Sequence, residues 1–413
     1  MQPTVSHVES THLTLTAPFA DSSPITLSAE WLWDNRLSSR DAHSGQRLHC
    51  VSSFPASLRL VSAAIVPLVH PPLPPAANFV VLGRYCSTPA EATPTLSVSF
   101  GTSDDQPLPL TEGHVSLAVV EEAYQRGLAQ QQQPLAPPPT SLAHLLVHCW
   151  PASSSSSSSS HCPAPAATLR DRHACLRATG LLHLPSPAPH CTPLQVLADA
   201  RQLGLVLETN YGLHFEVRAE AAPSNLAFTS LPLGLHTDNP YRTPVPGYQA
   251  LSCLVQASSG GETLFVDGWA VACALEGEDP ALLQALLTTP LTFRYADAAS
   301  QMGASRCILG CSGPGGAVEV SYNDRSQVAP ALGGSLQAMQ LLYRALRRFE
   351  QLCQEGGRLR RVLLAPGDSV VWDNGRVLHG RAPFEGQRHL QGCYLTQDSV
   401  RSNAAVALDR EGQ

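Results

Sequence analysis

Gly234-Leu-His236-Thr-Asp238-Asn-Pro-Tyr241 is the stretch on which the reading of this chain turns. Along an extended segment successive side chains point to opposite sides. His236 and Asp238 therefore project together and bring an imidazole nitrogen and a carboxylate oxygen to one point. Alone the pattern is weak, because the same residues suit a turn in which Asp238 caps the following Asn-Pro.

A second histidine far downstream strengthens it. His379 follows the apolar strand-like run Ser369–Trp372 and the polar pair Asp373-Asn374, within Val-Leu-His379-Gly-Arg. Two histidines and one carboxylate on one side of an ion leave three coordination positions open, the facial set of non-haem Fe(II) oxygenases. Zinc is the rival metal. A metallohydrolase would also need a general base beside the ion, and the chain has no HExxH.

Outward from this centre, short apolar runs recur between glycines and prolines at Leu203–Leu207, Tyr248–Gln256, Thr263–Val266, Ala317–Tyr322 and Ser369–Trp372. Two helices stand out. One begins at Asp279-Pro280, an N-cap followed by proline at the first helical position, and covers Ala281–Leu287. The other carries Leu336, Met339, Leu342, Leu346, Phe349 and Leu352 at helical spacing and stops at Gly356-Gly357. Many strands and few helices predict a mainly β protein, a barrel or jelly roll with flanking helices, over residues 167–413.

Residues 1–125 read as a small β-rich domain. Alternation runs through 11–33, with Leu13, Leu15, Ile25 and Leu27 on one face, and returns at Leu58–Val69, Asn78–Leu82 and Leu96–Phe100. Residues 126–166 read as a disordered linker, because Gln130–Gln133, the prolines at 137–139 and the eight serines Ser153–Ser160 bury too little apolar surface to offset ordering. Leu142–Val147 is an apolar island within it.

Bulk composition narrows the class. Hydrophobic residues make up 43% and charged residues 14% of 413, with a net charge of -7. No basic cluster suited to nucleic acid stands out. No apolar run nears the roughly 20 residues of a membrane span. The first twenty residues lack the features of a secretory or transit signal, so the cytoplasm is the expected location. The twelve cysteines are dispersed and form no CxxC, which predicts reduced thiols.

From about residue 200 to 402 the chain resembles the gamma-butyrobetaine and trimethyllysine dioxygenase branch of the TauD/TfdA-like enzymes. The resemblance rests on Glu208-Thr-Asn-Tyr-Gly212, Asn225-Leu-Ala-Phe-Thr229, His236-Thr-Asp-Asn-Pro-Tyr241 and Gly260-Gly-Glu-Thr-Leu-Phe-Val-Asp-Gly268. It continues in Pro366-Gly-Asp368, Asp373-Asn-Gly-Arg-Val-Leu-His-Gly-Arg381 and Arg388-His-Leu-Gln-Gly-Cys-Tyr394.

The resemblance implies a double-stranded β-helix holding Fe(II) through His236, Asp238 and His379. It implies 2-oxoglutarate and O2 as cosubstrates and ascorbate as a supporting reductant. Arg388 would take the distal carboxylate of 2-oxoglutarate, with Thr263 adding a hydroxyl. Tyr211, Phe215, Phe228 and Tyr394 occupy the positions of an aromatic cage for a trimethylammonium group, and Asn225 and Asn323 those near the substrate's acidic end. Asp324 stands where relatives tend to carry a second asparagine, and would repel an anionic group unless Arg325 neutralises it.

The implied substrate is a small zwitterion, gamma-butyrobetaine first, with a quaternary-amine phosphonate as an alternative. A degenerate binding protein would have lost a ligand, and none is lost. The resemblance also suggests a homodimer. The N-terminal block resembles the small domain preceding the catalytic one, through Trp31-Leu-Trp-Asp-Asn35 and Gly45-Gln-Arg47. Relatives often hold a Cys₃His zinc there. Here Arg36–Ser44 contains His43 and no cysteine, so no structural zinc is expected.

Overall fold

A computed structural model describes residues 3–16, 24–36, 38, 50–55, 58–68, 93–102, 111–131, 142–150, 168–186, 192, 194–218, 231–297, 299–312, 317–332 and 334–409. They group into two compact units. One comprises 1–138, 281–305 and 324–350; the other comprises 139–280, 306–323 and 351–413.

In the first unit, Thr4–Val8, His12–Thr16 and Pro24–Ser28 form an antiparallel sheet. Leu13, Leu15, Ile25 and Leu27 are all buried, the face that alternation predicts. Alternation extends strand character to residue 33, but the strand ends at Ser28. Its hydroxyl accepts the Trp31 amide at 3.2 Å and starts the helix Ala29–Asp34. Trp31 and Leu32, neighbours that a strand would send to opposite faces, are both fully buried by the helical turn.

A second sheet orders Leu58–Leu68, Thr93–Thr102 and Thr111–Ser116. The helix Leu117–Gln131 follows and passes residue 125 without a break, burying Val120, Ala123 and Gly127. Gln130 Nε2 donates to the Pro290 carbonyl at 3.4 Å, so residues 126–131 are helix rather than linker. The run Asn78–Leu82 and the serines 153–160 lie outside the described residues.

The second unit is mainly β, with helices on its outside. One sheet has the order Leu181–Leu184, Ser369–Asp373, Tyr248–Val255, His389–Leu395, Val206–Leu207, with Phe215–Arg218 also paired to His389–Leu395. The other has the order Leu233–His236, Val377–Arg381, Thr263–Asp267, Arg360–Val362. All these pairings are antiparallel. The two sheets share one core: Leu251, Cys253, Val370, Trp372 and Leu390 pack with Phe265, Val362 and Val377.

On the outer face of the larger sheet, Tyr248, Ala250, Val371, Cys393 and Leu395 pack with Leu176, Val196, Leu197, Ala200 and Leu203. Leu203, read as the start of a strand, is instead the last residue of the helix Gln195–Leu203, and only Val206–Leu207 is strand. The island Leu142–Val147 is ordered. Ala143–His148 is a 3-10 helix, and the Trp150 amide beyond it donates to Asp267 Oδ2 at 2.9 Å. Among the described residues no helix is long and apolar enough to cross a membrane.

Candidate metal centre and its surroundings

His236 ends its strand and faces His379 as a direct cross-strand partner. Opposed residues of an antiparallel pair carry their side chains on one face, and the two imidazole centroids lie 4.2 Å apart. Asp238, two residues on, closes the group. His236 Nε2 is 3.3 Å from Asp238 Oδ1, and His379 Nε2 is 3.8 Å from Asp238 Oδ2. One ligand atom from each residue lies within 4.8 Å of the others.

The donor set fits a divalent ion. Burial alone would push the Asp238 carboxyl up. The neighbouring His236 and His379 and the Tyr394 hydroxyl outweigh it, and hold the group well below the usual carboxylate range. An ionised carboxylate and two imidazoles converge from one side.

The residues around them fix the ligands. His236 Nδ1 lies 2.8 Å from the Gly234 carbonyl, which can only accept, so the ring donates there and leaves the Nε2 lone pair for the ion. Asn374 is fully buried and clamps the Asp238 peptide. Its Oδ1 accepts the Asp238 amide at 2.7 Å, and its Nδ2 donates to the Asp238 and Pro246 carbonyls at 3.0 Å each. Tyr394 donates its hydroxyl to Asp238 Oδ2 at 2.8 Å. The Trp372 ring packs 4.7 Å from His379 and 5.4 Å from Phe265. Thr237 is held by Tyr322 and by the Asn323 side chain: its amide donates to the Tyr322 carbonyl at 2.6 Å, and its own carbonyl accepts Asn323 Nδ2 at 3.1 Å. The Asn323 amide, expected near the substrate's acidic end, thus holds the loop between two ligands.

Arg388 is 8% exposed and donates Nε–H to the Gly261 carbonyl at 3.1 Å. Burial pushes its guanidinium down to about 10, which leaves it cationic at neutral pH. No carboxylate among the described residues pairs with it. A buried unpaired cation is costly, and the arrangement calls for an anion from outside the chain. Gly261 makes the approach feasible: at φ +77° a side chain is strained, and an added Cβ would stand 3.0 Å from Arg388 Cδ. Thr263, two residues on, sits on the inward face with Phe265, and its buried hydroxyl has no hydrogen-bond partner among the described residues.

Three of the four expected cage residues come together. The Tyr211 and Phe215 centroids lie 6.1 Å apart, and those of Phe215 and Tyr394 lie 5.1 Å apart. Gly392 makes room, because a Cβ there would stand 2.4 Å from the Phe215 ring. Tyr241 extends the wall, with its hydroxyl 3.4 Å from that of Tyr211 and donating to Asn239 Oδ1 at 2.5 Å. Phe228 and Asn225 lie outside the described residues. Sequence reasoning missed the roles of Asn374, Trp372 and Tyr241. Asn374-Gly375 reads as an ordinary turn, and nothing local says that its amide reaches the Asp238 peptide.

A sequence profile described as "Taurine catabolism dioxygenase TauD, TfdA family" matches residues 156–394. Gamma-butyrobetaine dioxygenase of Pseudomonas sp. (strain AK-1) is 35% identical over 217 residues, 52% of this chain and 56% of that protein. Human gamma-butyrobetaine dioxygenase is 28% identical over 244 residues, 57% of this chain and 62% of that protein. The mitochondrial trimethyllysine dioxygenase of Gallus gallus is 30% identical over 239 residues, 55% of each chain. The match thus spans between half and two thirds of these relatives' lengths.

Proposed function

The chain belongs to the TauD/TfdA family of dioxygenases, and from that premise we propose that it is an Fe(II)- and 2-oxoglutarate-dependent dioxygenase that hydroxylates a small trimethylammonium substrate, gamma-butyrobetaine being the first candidate. The observation that carries the reading is the His236–Asp238–His379 set, with both histidines buried, together with Arg388, a buried cation with no carboxylate partner among the described residues. The two facing sheets are read as the halves of a double-stranded β-helix, preceded by a small β-rich domain.

His236, Asp238 and His379 would hold Fe(II). When bound, the ion together with 2-oxoglutarate and O2 supplies the oxidation that replaces a substrate C–H by C–OH, with succinate and CO2 as coproducts. The chain's own residues bind and orient. Arg388 offers a planar fork to the distal carboxylate of 2-oxoglutarate, and the unpartnered Thr263 hydroxyl donates to the same molecule. Asn374 and Tyr394 keep the Asp238 carboxylate fixed while ligands exchange. Tyr211, Phe215 and Tyr394 would present aromatic faces to the trimethylammonium group, each contact being worth about 0.5–2 kcal/mol, and Phe228 is the fourth position that the family resemblance assigns to the cage. Asn225 is the position that the family resemblance assigns near the substrate's acidic end. Ascorbate would support turnover, no structural zinc is needed, and a cytoplasmic homodimer is the expected form.

The test is succinate release across a panel of trimethylammonium carboxylates, trimethylammonium phosphonates and a neutral tert-butyl analogue, with Fe(II), ascorbate and 2-oxoglutarate supplied. Release should depend on a cationic member of the panel. Equal turnover of the cationic and tert-butyl compounds would end the cage reading. A phosphonate handled better than any carboxylate would move the substrate to the quaternary-amine phosphonates.

A further inference from the structure

Cys149 and Cys273 are 124 positions apart in the chain, yet their sulfurs stand 4.0 Å apart as a hydrogen-bonded pair. Both thiols are free. Cys273 is buried in the helix Gly268–Glu278, whereas Cys149 is half-buried in the bend after the 3-10 helix Ala143–His148. Other bonds seat this segment on the helix. Glu276 Oε1 accepts the Leu142 amide at 3.0 Å, and Cys273 Sγ donates to the Leu142 carbonyl at 3.7 Å. Asp267, the N-cap of the helix, accepts the Trp150 amide at 2.9 Å, and Arg376 bridges Asp267 to the His148 carbonyl. The two thiols differ in chemistry. The bond from Cys273 and the Arg376 charge hold the Cys149 thiol below its usual range, against burial and Asp267. Sharing that bond, together with burial, pushes Cys273 well above it. Burial also raises Cys175, and takes Cys393 up to about 12. The thiolate is the attacking form of cysteine, so the half-exposed Cys149 is the sulfur of the pair that an oxidant meets first.

We propose that Cys149 and Cys273 are an oxidation site: a peroxide converts the two thiols to a disulfide that fastens the segment around Cys149 to the helix Gly268–Glu278. The Cys149 sulfur attacks one peroxide oxygen and the O–O bond breaks. Cys149 becomes a sulfenic acid, and the departing hydroxide leaves as water. The Cys273 sulfur then attacks the sulfenic sulfur, the S–OH bond breaks, and the Cys273 proton leaves with that hydroxyl as a second water. Two thiols are oxidised by two electrons while one peroxide is reduced to two waters. A disulfide is about 2.0 Å long, so the sulfurs must close by about 2 Å. Cys149, in a bend, is the one free to move. The fastening lies at the ends of the strands Thr263–Asp267 and Val377–Arg381, away from Thr263 and joined to the second strand through Arg376.

The test uses the full-length reduced protein, loaded with Mn(II) in place of iron so that peroxide is not consumed at the metal. It is treated with hydrogen peroxide, its remaining thiols are alkylated, and its peptides are mapped by mass spectrometry. A Cys149–Cys273 linked peptide should appear and should be lost on reduction with dithiothreitol. This map needs no variant and decides the pairing by itself. The link closes a loop across 124 positions and restricts the unfolded chain, so the oxidised protein should melt about 5–10 °C above the reduced protein. Cys149→Ser protein treated in the same way should gain nothing. In Cys273→Ser protein the sulfenic acid should persist on Cys149 and be trapped there by dimedone, whereas Cys149→Ser protein should carry no dimedone on Cys273. Oxidation of other thiols without the linked peptide would overturn the proposal, as would a link from Cys149 to a different cysteine. A linked protein that melts no higher than the reduced one would overturn the fastening, and dimedone on Cys273 of Cys149→Ser protein would overturn Cys149 as the attacking sulfur.

Discussion

Replacing Asn374 by alanine probes how the protein holds its carboxylate ligand. The side chain is fully buried and makes three hydrogen bonds: one accepted from the Asp238 amide at 2.7 Å, and one each donated to the Asp238 and Pro246 carbonyls at 3.0 Å. Alanine would strand one buried donor and two buried acceptors. Each stranded group costs about 1–3 kcal/mol, and a water entering the vacated space recovers part, so a net loss of about 3–4 kcal/mol is expected. For a unit of this size that corresponds to a drop of about 10 °C in melting temperature. The freed Asp238 peptide should also weaken metal binding about tenfold to a hundredfold, as loss of a supporting hydrogen bond commonly does. Thermal unfolding of metal-free protein followed by circular dichroism measures the first effect, and Mn(II) titration calorimetry the second. A melting temperature within about 2 °C of wild type, together with unchanged metal affinity, would refute the clamp.

Arg388→Met should abolish measurable 2-oxoglutarate binding while leaving the ligand-free protein as stable or more so, because a buried cation without a carboxylate partner is removed; Arg388→Lys should recover only part of the affinity, lacking the fork. Calorimetric titration and melting curves read both effects, and wild-type affinity in the methionine variant would contradict the anchor role. Asp373 supplies a pH test. Burial and the nearby Glu319 push its carboxyl up to about 6, against the opposing pull of Arg401, Arg376 and the Gly375 amide. The folded state therefore holds this proton where the unfolded chain has released it, and the group's contribution to stability falls as pH rises from about 4 through about 6. Asp373→Asn, which can still accept the Gly375 amide, should remove that slope from stability measured between pH 4 and 8; an unchanged slope would place the titration elsewhere.

The sequence carries some of this structure plainly. His236 and Asp238 are legible because alternation alone places them together, and the helices Pro280–Thr288 and Leu336–Gln354 announce themselves through Asp279-Pro280 and an apolar stripe. The helix Gly268–Glu278 escapes the same reading. Its Val271, Ala272, Cys273 and Leu275 are apolar in succession, so no stripe marks it, and its start is set by Asp267 accepting the Trp269 amide. Gln195–Leu203 hides for another reason: Leu203, Val206 and Leu207 form one apolar run that crosses from helix into strand. At the site, residue type reveals the ligands but not their supports. Asn374 and Trp372 matter through partners 136 and 7 positions away, at Asp238 and His379, and that register exists only once the strands pair.

The central claim is that His236, Asp238 and His379 hold an iron that couples 2-oxoglutarate and O2 to hydroxylation. The most direct measurement is the stoichiometry of O2 consumed and succinate formed by wild type, His236→Ala and Asp238→Ala, each checked for folding, with Fe(II) and the best substrate of the trimethylammonium panel. The account predicts equal amounts of O2 consumed and succinate formed by wild type, dependence on added Fe(II), and no turnover by either folded variant. Undiminished succinate release by a folded His236→Ala or Asp238→Ala protein would contradict it.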